Sequence, residues 1–170
     1  MTAYVALLRA VNVGGRKLIM SDLKAIADEA GLEKARTFIA SGNLVFASTK
    51  SEAAVTRLLE ERLKAHMRAE VPVLVRTAAE MAAVGAANPF ANASGSKVAA
   101  IFLQEAPQKD AIEKASGIAD EELALGTREI YVHYPSGMGR SKLRLPAAAG
   151  GTARNMNTVA KLAAMAKEVE

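Results

Sequence analysis

Apolar residues recur near the start of the chain with two different periods. The run Tyr4–Leu8 is short, apolar and rich in strand formers, which predicts a buried first strand. Ser21 then has the position of a helix N-cap, and Gly31 stops the pattern that follows it. The residues at helical spacing between them are Leu23, Ile26, Ala27 and Ala30. The opening therefore predicts a strand followed by a helix.

The next apolar segments predict a hairpin. Thr37–Ala40 and Leu44–Ala47 flank the three residues Ser41–Asn43, whose glycine suits a positive φ in a tight turn. We therefore expect two antiparallel strands here.

A second helix and a closing strand complete the pattern. Thr49 and Glu52 have the spacing of a capping box before a helical apolar repeat, and Val71–Val75 is a further strand. The order β-α-β-β-α-β is that of the split βαβ, ferredoxin-like unit, an antiparallel sheet with helices on one face.

The second half of the chain begins a similar order again. Thr77 and Glu80 predict a capped short helix, and the Gly-, Asn- and Ser-rich segment 85–96 predicts a connection. The predicted elements that follow are strand Val98–Leu103, helix Gln108–Ser116, strands Leu123–Leu125 and Ile130–Tyr134 around Gly126, and a last helix from Met156 to Ala166. This second series lacks a final strand, and the sequence leaves open whether it is a duplicate of the first.

These patterns divide the chain into three parts. We expect a ferredoxin-like βαββαβ unit in residues 1–76, a helix and linker in 77–96, and a second, incomplete ferredoxin-like unit in 97–170. The predicted class is α/β or α+β with antiparallel sheets.

Composition excludes several classes of protein. The chain has 170 residues, 51% of them hydrophobic, with no cysteine and no tryptophan, so a disulfide scaffold and a cysteine-based zinc site are ruled out. No apolar run approaches the ~20 residues of a membrane span, and Arg9 interrupts the start without a signal-peptide pattern. We expect a cytoplasmic protein without a membrane partner. His66 and His133 have no metal-site spacing, so no metal is predicted.

Positive charge is concentrated at the two ends of the sequence. Residues 1–21 hold three Lys or Arg and residues 130–167 hold six, and neither segment contains an acid. A positive potential is expected where these segments meet. The loop Asn12–Ile19 is longer than the corresponding connection in the second series, which makes it a functional candidate.

Glycines and cations in these segments suggest an anion site. Gly14 and Gly15 let backbone N–H groups point at a phosphate, although the spacing matches neither the Walker motif nor GxGxxG. The segment 152–155 precedes a helix, whose N-terminus favours anions. The candidate ligand-binding residues are Arg9, Asn12, Gly14, Gly15, Lys17, Lys142, Thr152, Arg154 and Asn155.

Each of these features also has a plain structural explanation. The glycine loop fits a solvated connection, Thr152 and Asn155 fit helix caps, and the alternating Arg140–Arg144 fits a strand with one basic face or a charged edge strand. No catalytic residue or cofactor can be assigned. The leading hypothesis is a module that binds a phosphorylated small molecule or nucleotide.

Two other functions stay open at the level of sequence. RNA binding is disfavoured because aromatic residues form only 4% of the chain and the RNP signature is absent. An enzyme acting on a phosphorylated metabolite would use cations such as Lys17 or Arg154, but no general base is visible. Oligomeric state is not indicated.

Three motifs resemble a bacterial family, the domain of unknown function 1697. They are the opening LLRAVNVGGRK, the SGNLVF after the first helix and the closing TARNMNTVAKL, so that the resemblance spans essentially the whole chain. It implies a duplicated ferredoxin-like α/β architecture in a small cytoplasmic protein, and no established activity. This chain has Ala10 where the family commonly has Gly, and Met156 where it commonly has Trp, which removes an aromatic surface for stacking.

Overall fold

The computed structural model describes residues 1–170 and contains eight strands and four α-helices. In chain order they are β1 (Thr2–Leu8), α1 (Met20–Glu29), β2 (Glu33–Thr37), β3 (Asn43–Ser48), α2 (Glu52–Met67), β4 (Val73–Thr77), α3 (Ala78–Ala86), β5 (Val98–Phe102), β6 (Glu122–Leu125), β7 (Glu129–His133), β8 (Thr152–Asn155) and α4 (Met156–Glu168). They form two compact units. The first unit comprises Met1–Ala82 with Lys161–Glu170, and the second comprises Ala83–Ala160.

The first unit has the predicted ferredoxin-like topology. Its antiparallel sheet has the order β2-β3-β1-β4, with α1 between β1 and β2 and α2 between β3 and β4. The alternate residues Tyr4, Ala6 and Leu8 of β1 belong to the same core as the buried faces of both helices. The buried helix positions are Leu23, Ile26 and Ala27 of α1 and Val55, Leu59 and Leu63 of α2. Both helices therefore cover one face of the sheet, as predicted.

Two predicted helix starts are wrong by two residues. α1 begins at Met20, and its N-cap Ile19 provides no side-chain hydrogen bond, whereas Ser21 was predicted as the cap. The cap of α2 is Ser51, which accepts a hydrogen bond from the N–H of Ala54 at 3.2 Å, and the predicted cap was Thr49. Ser48, Thr49 and Ser51 all lie near the start of α2, and the hydroxyl residue near the start of α1, Ser21, is not its cap, so side-chain type alone does not select the cap.

The predicted first strand of the hairpin is displaced. β2 lies at Glu33–Thr37 and Phe38–Gly42 form the connection, so the strand predicted at Thr37–Ala40 is wrong. β2 is an edge strand with mostly exposed, charged side chains, which commonly protect an edge strand from pairing with another chain. Because the strand has few apolar residues, a pattern of apolar positions does not predict it. The positive φ predicted for Gly42 is confirmed at 90°.

A reciprocal capping box begins α3, as the sequence predicts. The N–H of Thr77 donates to the Glu80 carboxylate at 2.8 Å, and the N–H of Glu80 donates to the Thr77 hydroxyl at 3.1 Å. This local motif fixes the point where β4 turns into the helix.

The sheet of the second unit repeats the strand order of the first. Its order β6-β7-β5-β8 is antiparallel throughout and corresponds to β2-β3-β1-β4. The inference that a final strand is missing is wrong, because Thr152–Asn155 is β8 and pairs with β5. This strand has only one buried residue, Arg154, so it carries no apolar alternation.

The connections of the second unit contain no α-helix. The helix predicted at Gln108–Ser116 is wrong, because this segment forms successive turns with Ala111 as its buried residue. Nor does Arg140–Arg144 form a strand: it makes a single antiparallel bridge, between Arg144 and Ser116. Too few apolar positions recur here to bury one face of a helix. The turns nevertheless cover a small core around Ile101, Ile130 and Val132.

Gly42 is expected to be the glycine of the first unit least tolerant of a side chain. A Cβ there lies 2.7 Å from Cγ2 of Val11 and 2.9 Å from Cβ of Leu8, and the φ is positive. Gly31 has a φ of 79° and open space around its Cβ position, so Gly31→Ala measures the backbone strain alone. We expect Gly31→Ala to lower the free energy of unfolding by about 1 kcal/mol. Gly42→Ala should cost about 1–3 kcal/mol more by overpacking. Equal costs in denaturant titrations would contradict this.

Tyr131 is expected to limit stability at alkaline pH. Its hydroxyl donates to the carbonyl of Val84 at 2.7 Å, and burial, followed by the charge of Glu129, raises its pKa to about 12. The unfolded pKa is about 10, so this stabilisation is complete below about pH 10 and is lost as the pH rises to about 12. Tyr131→Phe should cost about 1–3 kcal/mol at pH 7 and remove this component of the pH dependence. Identical pH profiles of both proteins would contradict this.

Candidate functional site

The segment between β1 and α1 folds into a tight hairpin. The N–H of Arg16 donates to the carbonyl of Val13 at 3.1 Å, and the N–H of Asn12 donates to the carbonyl of Arg16 at 2.5 Å. The two central residues, Gly14 and Gly15, have φ values of 58° and 84°. Positive φ at both central positions is what a type I′ turn requires, and Gly-Gly is one of its preferred pairs. The paired glycines therefore have a local structural role.

Asn12 fixes this hairpin to the rest of the first unit. Its Nδ2 donates to the carbonyls of Leu18 at 3.0 Å and Ala40 at 2.6 Å, and its Oδ1 accepts the N–H of Leu18 at 2.8 Å. Its φ of 58° is left-handed, a conformation that Asn tolerates better than most residues. One exposed side chain thus joins both ends of the loop to the β2–β3 connection.

The hairpin presents cations and free backbone donors. The N–H groups of Gly14, Gly15 and Lys17 have no acceptor within the chain. Lys17 is exposed and makes no ion pair. Arg16 donates to the backbone carbonyl of Glu70, and its Nε is buried without a partner. Arg9 is half-buried directly after β1, and its N–H donates to the carbonyl of Pro72 at 3.0 Å.

Exposed aliphatic side chains accompany these cations. Val13 is 58% exposed, Ile19 64% and Ile39 50%. Val13 follows Asn12 in the sequence. Ile19 and Ile39 are the sequence neighbours of Leu18 and Ala40, whose carbonyls accept hydrogen bonds from the Asn12 amide. We refer to the residues 12–19 together with 39–40 as the hairpin surface. The sequence analysis did not identify these aliphatic residues as part of a site. The signal that could have indicated them is the presence of isolated apolar residues in a polar, cationic loop.

The other predicted site residues lie in the second unit. Arg154 is 6% exposed, and its guanidinium donates to the Thr152 hydroxyl at 2.7 Å and to the carbonyl of Ala153 at 2.9 Å. Burial lowers the pKa of Arg154 to about 10. Asn155 caps α4, because its Oδ1 accepts the N–H of Thr158 at 2.9 Å. The structure thus brings these three residues together in β8, where they bond to their own backbone and neighbours.

The remaining basic candidate, Lys142, is exposed, and its carbonyl lies against Gly117. The hairpin surface belongs to the first unit, and Lys142 and the β8 residues belong to the second. The common pocket expected for both segments stays a prediction.

The structure contains no group of three His, Asp or Glu side chains that would hold a metal ion. His66 lies 3.5 Å from the Asp22 carboxylate, and Nδ1 of His133 lies 2.9 Å from that of Glu122. Each histidine therefore pairs with a single carboxylate. None of the helices combines the length and apolar character needed to cross a membrane.

Comparisons with known proteins give a family and a fold. The family model described as "Protein of unknown function (DUF1697)" matches residues 1–131. A solved structure, of the conserved bacterial protein SP0830 from Streptococcus pneumoniae, is similar with a TM-score of 0.80 and 25% sequence identity. That similarity covers 98% of this chain and 99% of the other. No curated protein matches the chain significantly.

Asn12 is expected to control the order of the hairpin surface. Asn12→Gly keeps the left-handed backbone accessible but removes three side-chain hydrogen bonds, so it isolates their contribution. We expect a loss of about 1–2 kcal/mol in the free energy of unfolding. Exchange of the Leu18 amide hydrogen should become faster, whereas Lys17→Ala should leave it unchanged. Unchanged Leu18 protection in Asn12→Gly would contradict this role.

Proposed function

The chain belongs to the DUF1697 family of proteins of unknown function, and from its own geometry we propose that it binds a phosphate-bearing small ligand, such as a nucleotide, at the hairpin surface. The observation that carries the proposal is the combination of unused donors and unmatched cations on one ordered loop.

The backbone supplies part of the proposed contact. Three N–H groups, those of Gly14, Gly15 and Lys17, have no acceptor within the chain. Both glycines have open space where a Cβ would be, so an anion can approach the backbone closely. N–H groups held by a turn bind an anion at little entropic cost because the loop is ordered before binding.

Side-chain charge supplies the rest. Arg16 and Lys17 make no ion pair with a carboxylate, and no acid occurs before Asp22. An uncompensated positive field favours phosphate over neutral ligands, and charge-assisted hydrogen bonds are roughly twice as strong as neutral ones. Because the Asn12 amide fixes the loop, these charges stay near the free N–H groups.

The exposed aliphatic side chains support a ligand larger than inorganic phosphate. Val13, Ile19 and Ile39 are each at least half exposed, so burying them against an apolar ligand part removes nonpolar surface from water. A nucleotide combines such a part with phosphates. The same surface contains no histidine or carboxylate to act as a general base, so binding is favoured over catalysis.

Lys17→Ala is expected to weaken the binding of adenosine triphosphate without changing stability. Losing one charge-assisted hydrogen bond should cost about 1.5–3 kcal/mol, which is a factor of about 10–150 in Kd. Isothermal titration calorimetry of both proteins gives this ratio. Adenosine, which lacks the phosphates, should bind far more weakly to the unmodified protein.

Lys24→Ala is the matched control, because Lys24 is an exposed lysine of α1 that already pairs with Asp28 at 2.7 Å. Its Kd for adenosine triphosphate should equal that of the unmodified protein. Equal effects of both substitutions, or no binding at all, would refute the proposal. An affinity for single-stranded RNA that exceeds that for the nucleotide and falls by orders of magnitude with added salt would favour the RNA-binding alternative.

A further inference from the structure

The second unit contains a pocket whose lining includes two carboxylates, those of Asp120 and Glu121. Its volume is about 280 Å³, and it is lined by residues 119–121 and by Tyr134, Ser136, Gly137, Arg140 and Ser141. Since a water molecule takes about 30 Å³ of liquid, the pocket has room for about nine waters. It therefore suits a ligand smaller than a drug-sized molecule.

Glu121 is the unusual group in this pocket. The residue is 8% exposed, and its carboxylate makes no ion pair. Its two oxygens share a single donor, the N–H of Ala119, at 3.4 Å each. These distances exceed the usual 2.7–3.2 Å, and a carboxylate has about four acceptor sites. A buried charge with so little compensation is costly unless a partner arrives.

The neighbouring side chains add further acceptors. The Ser136 hydroxyl donates its hydrogen to the Asp120 carboxylate. The serine oxygen can therefore only accept any further hydrogen bond. The Tyr134 hydroxyl makes no hydrogen bond, and the nearby Glu121 charge adds to burial in raising its pKa. The lining around Glu121 is thus rich in acceptors.

We propose that this pocket binds the ammonium group of a small primary amine, with Glu121 as its counter-ion. An ammonium group has three N–H donors and no acceptor, which complements the carboxylates and the serine oxygen. Two carboxylates and the Arg140 guanidinium give the lining a net charge of one negative unit, which a monocation neutralises. Two carboxylates without a histidine are too few ligands for a divalent ion that takes six or more oxygens.

The test compares n-butylammonium with butan-1-ol, which has the same shape without the charge. Amide resonances of the 119–121 and 134–141 segments are followed by NMR during titration at pH 7, where the amine is protonated. Butylammonium should shift these resonances and saturate, whereas butanol should not. Equal shifts by both compounds, no shift by either, or a stronger response to Ca²⁺ would overturn the proposal.

Variants locate the counter-ion. Glu121→Gln keeps the shape but removes the charge, and it should raise the Kd for butylammonium at least tenfold. Glu122→Gln is the matched control, because that exposed carboxylate is the next residue and pairs with His133. It should leave the Kd unchanged. Retained affinity in Glu121→Gln, or an equal loss in Glu122→Gln, would refute the assignment. If Glu121→Gln does not fold, the comparison of amine with alcohol in the unmodified protein still decides the question.

Discussion

The burial of β1 on both of its faces is the constraint from which the rest of the first unit follows. Every residue of this strand after Thr2 is buried, and its two edges pair with β3 and β4. A central strand of this kind has no free edge or face, so the chain that leaves it must emerge at the end of the sheet. The hairpin surface begins near that end, at Asn12, four residues after Leu8. Its position is thus a consequence of how the core is built.

Sequence patterns predicted the elements whose signal is local and apolar. β1, the buried faces of α1 and α2, and the capping box of Thr77 and Glu80 each depend on a few neighbouring residues, and the structure contains all of them. Strands that depend on pairing with a distant strand were predicted at the wrong position, as for β2, or not predicted, as for β8. β2 and β8 are mostly polar strands that exist because β3 and β5 offer free edges, and no periodicity within them reveals this.

The candidate site shows the same division. The sequence pointed to Asn12, Gly14, Gly15 and Lys17, but it could not separate turn geometry from anion binding. The structure assigns the positive φ of the glycines to the turn and the Asn12 amide to the link with Ala40, a residue 28 positions away. Arg154, a ligand-binding candidate from the sequence, is buried in β8. Long-range contacts of this kind have no signature in one sequence.

The division of the chain into units has a consequence for synthesis. The second unit, Ala83–Ala160, is inserted between the two segments that make up the first, Met1–Ala82 and Lys161–Glu170. During translation, which proceeds from the N-terminus, the sheet of the first unit is complete long before the end of α4 leaves the ribosome. The nascent first unit therefore lacks its last ten residues, Lys161–Glu170, until the whole second unit has been synthesised. The second unit is one continuous segment of the chain, so its four-stranded sheet can form as soon as β8 has been synthesised.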